Sequence, residues 1–343
     1  MSRLRVAVSS IGVPRLVAVL AILVGGFAAT GFVGVRANAQ GTAQTTAQTT
    51  ITQTTAPQPS ADNELTYPKA GVLGLVEGIT EFLPISSTGH LVIAEELLGI
   101  GQNADTKAAT DTYTVAIQIG AIIAILLIFW RRCISVVNGL IGRDPAGRRT
   151  LIALAVAFVP AAVIGKVFDK AIEKHLLSAL PVALAWIVGG IVILVWFRDR
   201  EPDETAEVQD VSMITPRMAL IIGFAQSLAL WPGVSRSLVT IIGALLLGVS
   251  LTAAVEFSFL LGLLTLTAAT AYSLASDGSE LVDHFGTATP LFGVLVAGVA
   301  AFASVRWMIG WLDKRGLGVF GWYRIITGVG VLVLIAAGTR VGA

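Results

Sequence analysis

Beyond Tyr67 the chain alternates long apolar stretches with short polar connections. The stretches fall at roughly 69–100, 111–130, 150–167, 180–197, 214–249, 252–275, 290–311 and 322–338. Six of them have about the 17–25 residues that one helix needs to cross a bilayer. The first and fifth are too long for one crossing, and proline and glycine interrupt each beside a polar cluster. Broken helices at membrane depth persist where the freed backbone lines a cavity. The pattern therefore predicts an all-α polytopic membrane protein with two discontinuous elements.

The two broken stretches match each other. Sliding residues 74–100 onto 223–249, an offset of 149, pairs Gly74 with Gly223 and Ser86 with Ser235 without a gap. Ile93, Leu98 and Gly99 meet Ile242, Leu247 and Gly248, while Glu77 meets Gln226 and Phe82 meets Trp231. Three crossings lie between the units, and an odd number inverts the second relative to the first. Inverted repeats built from discontinuous helices bring their breaks together near the midplane.

Loop charge supplies a topology. Arg131, Arg132, Arg143, Arg148 and Arg149 follow the second stretch, Arg198, Arg200 and Arg217 precede the fifth, and Lys314 and Arg315 precede the last. The positive-inside rule makes these connections cytoplasmic. The 276–289 connection, with Asp277, Glu280 and Asp283, then lies outside. Stretch 69–100 must enter and leave from outside and stretch 214–249 from inside, so each is expected to be a re-entrant helical hairpin, or else a helix pair.

Composition agrees. The 343 residues are 55% hydrophobic and 13% charged, with mean hydropathy +0.81. Soluble domains hold roughly 25% charged residues. A net charge of +1 argues against a nucleic-acid partner, which needs a basic patch. The single cysteine, Cys133, excludes an intramolecular disulfide or a thiolate metal cage and reads as a bystander. A homodimer is compatible with the chain, which is otherwise silent on oligomeric state.

The N-terminal residues stand apart. Arg3, Arg5 and Arg15 precede an apolar run from Leu16 to Val33 and then Ala37-Asn38-Ala39, the form of a secretory signal. Residues 1–39 are expected to be a signal peptide or, because the run is long, an uncleaved signal anchor. Residues 40–66, rich in Thr and Gln with Pro57 and Pro59 near the end, have too little apolar surface to fold and read as a flexible linker. It would deliver the chain to the outer face, as the loop charges require. Residues 67–343 form the membrane-embedded part.

The candidate chemistry lies in the two breaks. They read Glu77-Gly-Ile-Thr-Glu81-Phe-Leu-Pro-Ile-Ser86-Ser87-Thr88-Gly-His90 and Pro232-Gly233-Val-Ser235-Arg236-Ser237. Ionisable groups inside a bilayer are costly and normally face a cavity where they act. Glu77 and Glu81, four apart, share a helix face. Two such carboxylates need a cation between them or a shared proton, so the pair serves a divalent metal or acid–base work, or else bonds the hairpin backbone. Oxygen ligands favour Mg²⁺ or Ca²⁺.

If a helix starts at Ser87 or Thr88, His90 lies one turn on, where imidazole deprotonates a serine hydroxyl or protonates a leaving group. The plainer alternative makes Ser87 an N-cap and His90 a packing residue. Arg236 is a fixed cation that grips phosphate oxygens as a fork. Gly233 is expected to let backbone approach a ligand, with Ser235, Ser237 and Thr240 as donors and a helix N-terminus near Ser237 aimed at an anion. The alternative pairs Arg236 with Glu77 or Glu81 across the repeat, which an empty site tolerates. Gly233-Val-Ser235-Arg-Ser237 lacks the closing glycine and the strand of a nucleophile elbow. Acids, a hydroxyl with a base, and an anion clamp together make a phosphoryl-transfer site. Inside a bilayer, its substrate is a lipid with a phosphorylated head.

At these residues the chain resembles the undecaprenyl-diphosphate phosphatase (bacitracin-resistance) family of bacterial membrane proteins. Glu77 through His90 is similar to that family's first motif, and Trp231-Pro-Gly-Val-Ser235-Arg236-Ser237 through Thr240 to its second. Further similarity runs through Gln118-Ile-Gly-Ala-Ile, Glu256-Phe-Ser-Phe-Leu-Leu and Tyr323-Arg324-Ile-Ile, covering about residues 68–338. The resemblance implies hydrolysis of undecaprenyl diphosphate to the monophosphate and inorganic phosphate. That reaction recycles the lipid carrier for peptidoglycan and confers bacitracin resistance, in the plasma membrane with the site open to the extracytoplasmic face. It also implies dependence on Mg²⁺ or Ca²⁺.

Carried over, Glu77 and Glu81 serve the metal and Glu81 also acid–base work. Ser87 with His90 supplies attack, Arg236 holds the diphosphate, and Ser86, Thr88, Gly233, Ser235, Ser237 and Thr240 line the substrate. Whether a seryl-phosphate forms or water is activated stays open. One departure is Gly262-Leu263-Leu264, where the family has a small residue, an apolar one and proline. A lipid phosphatase of the acid-phosphatase-like superfamily would need a second histidine about six residues after the arginine, and position 242 is isoleucine. An inverted-repeat transporter or flippase for an anionic lipid is the alternative from another class.

Overall fold

The structure, a computed structural model, describes residues 65–102, 104–198, 206–312 and 314–339. The signal or anchor assigned to 1–39, and the linker as far as residue 64, lie outside the described residues. The described residues are helical apart from turns and one isolated bridge between Val208 and Val249. Helices α1 (Tyr67–Thr80) and α2 (Ser87–Leu98) form the first hairpin. Then follow α3 (Ala104–Ala116), α4 (Gln118–Ile128), α5 (Trp130–Leu140), α6 (Pro145–Leu176) and α7 (Ala179–Val192), the last continued by a π-turn to Phe197. Helices α8 (Pro216–Ser227) and α9 (Arg236–Leu246) form the second hairpin, and α10 (Leu251–Phe285), α11 (Ala288–Leu312) and α12 (Gly318–Ala336) complete the chain.

Six segments are long and apolar enough to cross a membrane: Thr106–Ile128, Pro145–Phe168, Ala179–Phe197, Leu251–Phe285, Ala288–Leu312 and Gly318–Ala336. The hairpin arms are not. Their 14, 12, 12 and 11 residues span about 17–21 Å at helical rise, against roughly 30 Å of hydrocarbon. Arms of that length fit a hairpin that enters and leaves by one face.

Packing follows the repeat. Each hairpin leans on the second crossing of the other unit: α1 on α11, and α8 on α6. The contact is close because glycine sits at the paired positions. A Cβ on Gly74 would overlap the carbonyl of Gly293, and one on Gly223 the carbonyl of Ala157. The first crossings of the two units pack together, α3 and α4 on α10, as do the third, α7 on α12. Among the described residues only Ser86 and Ser235 are non-glycine residues with positive φ, at 72° and 75°. They are the serines that the offset of 149 pairs.

Basic connections gather at one end of the bundle. Arg132 donates to Glu256 at 2.6 Å and to Asp210 at 2.8 Å, tying α5 to the segment before α8 and to the start of α10. Gly318 donates to the Arg198 carbonyl at 3.2 Å, joining the next two connections. Leu65, Ile100 and Leu281 share one apolar cluster, which gathers the start of the first hairpin and the 276–289 region. The predicted alternation of ends therefore holds. The acidic 276–289 segment is not a loop, however, because α10 continues to Phe285. Its 35 residues reach about 52 Å, more than a bilayer core needs. His284 and His175 are exposed near the C-terminal ends of α10 and α6.

Candidate active site

The site forms where the hairpin tips meet. Each descending helix ends before a turn, after Thr80 in α1 and after Leu230 behind α8, and a serine in a strained conformation starts the return helix. Ser86 Oγ accepts from Gly89 N at 3.5 Å, and Ser235 Oγ from Leu238 N at 3.3 Å. A non-glycine residue at such φ costs about 1–3 kcal/mol, and the buried caps help to hold it. Both return helices thus start at the tips, each with one first-turn amide taken by its capping serine.

Glu81 joins the two tips. One carboxylate oxygen accepts from Arg236 Nη2 at 3.0 Å, and the other accepts the Ser87 hydroxyl. The side chains of Arg236 and Glu81 are 13% and 6% exposed, so the pair is largely shielded from water. Arg236 Nη1 donates to the Ser258 carbonyl at 3.0 Å, and its guanidinium lies 5.4 Å from the Phe82 ring centre. Gly262 makes room for it, since a Cβ there would overlap the guanidinium. The absence of proline at 264 leaves α10 unbroken past this point.

The other expected donors serve the scaffold. Ser237 Oγ donates to the Leu83 carbonyl at 2.9 Å, across the tips, and lies 3.0 Å from Ser235 Oγ. Thr240 Oγ1 donates to the Arg236 carbonyl at 2.8 Å and meets Ser258 Oγ at 2.7 Å. Thr88 is exposed, outside this network. Gly233 departs from expectation: its bare α-carbon, at φ 93°, faces Val182 and Ala185 of α7 and not an open site.

The expected Ser87–His90 pairing is absent. His90 Nδ1 contacts the Ser86 carbonyl at 2.7 Å, and Nε2 contacts the Tyr323 hydroxyl at 2.7 Å. The ring packs 4.4 Å from that of Trp186. Ser86 is the N-cap, so Ser87 occupies the first helical position and turns back toward Glu81, while His90 emerges on a face turned to α7 and α12. The base nearest the Ser87 hydroxyl is Glu81.

Glu77 is completely buried in the last turn of α1, four residues before Glu81 at the helix C-cap. No N–H or O–H donates to either carboxylate oxygen. Its repeat counterpart Gln226 is 3% exposed and also lacks partners at both amide atoms. A buried carboxylate without donors, beside a second carboxylate, suits a hard cation. Among the described residues no three His, Cys, Asp or Glu side chains gather. A cation held by Glu77 and Glu81 would therefore have to draw its remaining ligands from water and substrate oxygens.

Sequence reasoning gave Arg324 no role, yet it is fully buried. Its guanidinium donates to the carbonyls of Pro84 at 3.2 Å, Gly233 at 2.8 Å, Ala185 at 2.9 Å and Trp186 at 3.4 Å. It clamps both turns onto α7. The available signal was an arginine inside the apolar stretch 322–338.

Comparison with known proteins agrees with this architecture. The sequence profile described as "Bacitracin resistance protein BacA" matches residues 70–330. The chain is 45% identical over 269 residues to a protein of Sorangium cellulosum named undecaprenyl-diphosphatase, covering 77% of this chain and 85% of that one. It is 46% identical over 270 residues to undecaprenyl-diphosphatase 2 of Rhodospirillum rubrum, covering 79% and 95%. A Paraburkholderia xenovorans relative, undecaprenyl-diphosphatase 1, is 44% identical over 271 residues, with 78% and 94% covered. With a profile spanning most of the chain and the motif residues meeting at one place, the chain belongs to the bacitracin resistance protein BacA family.

Proposed function

We propose that this multi-pass membrane protein hydrolyses undecaprenyl diphosphate to undecaprenyl monophosphate and inorganic phosphate, recycling the lipid carrier of cell-wall synthesis and conferring bacitracin resistance. The observation that carries the reading is the Ser87 hydroxyl held on Glu81, whose other oxygen is paired with Arg236. A nucleophile, its base and an anion clamp thereby share one carboxylate. The relatives' names support the same substrate.

Arg236 receives the terminal phosphate, its fork shared between Glu81 and the substrate oxygens. Ser87 Oγ attacks the terminal phosphorus and its proton passes to Glu81. The bond from that phosphorus to the bridging oxygen breaks, and the oxygen leaves on the lipid monophosphate. Water then cleaves the seryl-phosphate, releasing inorganic phosphate and restoring the hydroxyl. His90 holds the Ser86 carbonyl and so orients the Ser87 turn. Glu77 and Glu81 would hold Mg²⁺ or Ca²⁺, which neutralises charge on the phosphoryl oxygens when bound.

Residues 67–343 make the catalytic domain, 1–39 the export segment and 40–66 the linker. The basic end of the bundle faces the cytoplasm, and the site opens to the other face. The transport alternative draws on the inverted repeat alone, whereas the hydrolytic reading also accounts for the Ser87 hydroxyl held on Glu81. Phosphate release from undecaprenyl diphosphate by the purified protein in detergent is expected, with loss of about 10²–10⁴-fold in Ser87→Ala. Substrate labelled in the terminal phosphate should leave label on Ser87 after acid quench. A wild-type protein that binds the lipid and releases no phosphate overturns the proposal.

A further inference from the structure

Arg236 also forms the floor of an open cavity of about 600 Å³ between α6 and α10. Its deep end holds Gln226, and its walls carry Lys166 and Tyr272. Burial gives the cavity a direction. Gln226 is 3% and the Arg236 side chain 13% exposed, whereas Lys166 is exposed and Tyr272 is 77% exposed. From Thr265 to Tyr272 on the α10 wall is about 10 Å at helical rise. The cavity therefore runs roughly two helical turns from an exposed mouth to the guanidinium.

Two observations suggest what the cavity receives. Gln226 is buried with neither amide atom hydrogen-bonded, and a buried unpaired amide is costly unless a ligand completes it. The charge pattern is the second. Arg236 is already neutralised by Glu81 at 3.0 Å, so it exerts little net pull on an arriving anion. Lys166 makes no ion pair among the described residues, and it stands at the mouth. The Cα–Cβ bonds of a helix tilt toward its N-terminus, so the Lys166 side chain leaves α6 on the side of the cavity's buried end.

We propose that Lys166 is the receiving cation for the diphosphate head group, and that Gln226 is a donor along the path from Lys166 to Arg236. The ligand class is a polyanionic phosphate ester whose apolar tail remains in the bilayer. Ala161, Ala162, Ala268 and Ala269 on the walls are short side chains that offer the head group no competing polar partner. The inference rests on the diphosphatase reading and extends it to how the substrate arrives.

The test compares wild type, Lys166→Met and Lys166→Arg on farnesyl diphosphate in detergent at several salt concentrations. Lys166→Met should lower kcat/KM about tenfold while kcat falls less than threefold, and should flatten the salt dependence that electrostatic capture imposes. Lys166→Arg should restore both. Independently of turnover, Ala268→Cys in a Cys133→Ser background should react with a maleimide, and inorganic pyrophosphate should slow that reaction unless Lys166 is methionine. Lys166→Met with wild-type KM, salt dependence and pyrophosphate protection overturns the inference. Absence of phosphate release from wild type overturns the parent reading instead, because the labelling arm still reports on Lys166.

Discussion

Arg236 and Glu81, 155 residues apart in sequence, meet at 3.0 Å across the two hairpin tips. Each belongs to a different repeat, so the pair joins the two hairpin tips, and in the proposed reaction it also supplies the base and the anion clamp. Removing one partner of a shielded ion pair strands the other and costs about 3–5 kcal/mol. Arg236→Ala and Glu81→Gln should each lower the thermal midpoint in detergent and abolish phosphate release. The double variant should recover much of the stability and none of the activity. Additive losses of stability would mean that the pair is not coupled.

Gly262 should prove functional without touching substrate. A Cβ there meets the Arg236 guanidinium, which is pinned on Glu81 and the Ser258 carbonyl and has little freedom to yield. Small misplacements of a positioned group cost on the order of 10²-fold in rate. Gly262→Ala should therefore reduce kcat by about that factor while the protein still purifies as a folded species. An unchanged kcat would show that the guanidinium moves freely.

The two central arginines differ in their partners: Arg236 pairs with Glu81, whereas Arg324 holds both turns through backbone carbonyls. It serves four carbonyl oxygens, and leaving a buried polar group unsatisfied costs about 1–3 kcal/mol. Arg324→Met should be the most destabilising single change in the central region, read as lost folded yield or a sharply lower melting temperature. Arg324→Lys, with three donors at most, should fall between. A wild-type melting temperature for Arg324→Met would remove the clamp from the account.

The discontinuous hairpins and their meeting could be read from the sequence because glycine, proline and charge are conspicuous in apolar stretches. The offset paired Ser86 with Ser235, and in the structure these two share the same positive-φ backbone. Side-chain direction around the break was less legible. Whether Ser87 faces His90 or Glu81 depends on which serine caps the helix, and adjacent serines leave that undecided until the backbone is seen. Arg324 escaped notice for a different reason: its partners are backbone carbonyls from three segments, and backbone acceptors carry no residue signature. The same holds for Gly233, whose bare face serves packing on α7.

At the basic end, Asp144 caps α6. The Ser135 hydroxyl donates to its carboxylate at 2.5 Å, and the Gly147 and Ala146 amides donate at 3.0 and 2.9 Å. These bonds, the Ser135 hydroxyl foremost, hold the Asp144 carboxyl below its ordinary value of 3.8. A depressed folded value contributes stability that is present above the unfolded value and lost as pH falls through the folded one. Asp144→Ala should thus melt below wild type at neutral pH, with the gap closing as pH drops beneath 3.8. A gap that persists in acid would assign the effect to packing.

Glu77 offers the sharpest test of the metal. It is fully buried, has no donor and lies four residues before Glu81, and the second repeat carries the neutral Gln226 at the matching position. Without a metal ion, Glu77 is a buried carboxyl with no donor beside a second carboxylate, an unfavourable arrangement that Glu77→Gln relieves. The variant in chelator should therefore melt higher than wild type in chelator. Adding millimolar-range Mg²⁺ or Ca²⁺ should raise the wild-type melting temperature by binding the folded state and leave the variant nearly unmoved. Phosphate release should follow the same order: lost from wild type in chelator, restored by the ion, and requiring about tenfold more ion in Glu77→Gln. Equal ion-induced melting shifts in the two proteins would place the cation elsewhere and leave Glu77 as a proton-sharing partner of Glu81.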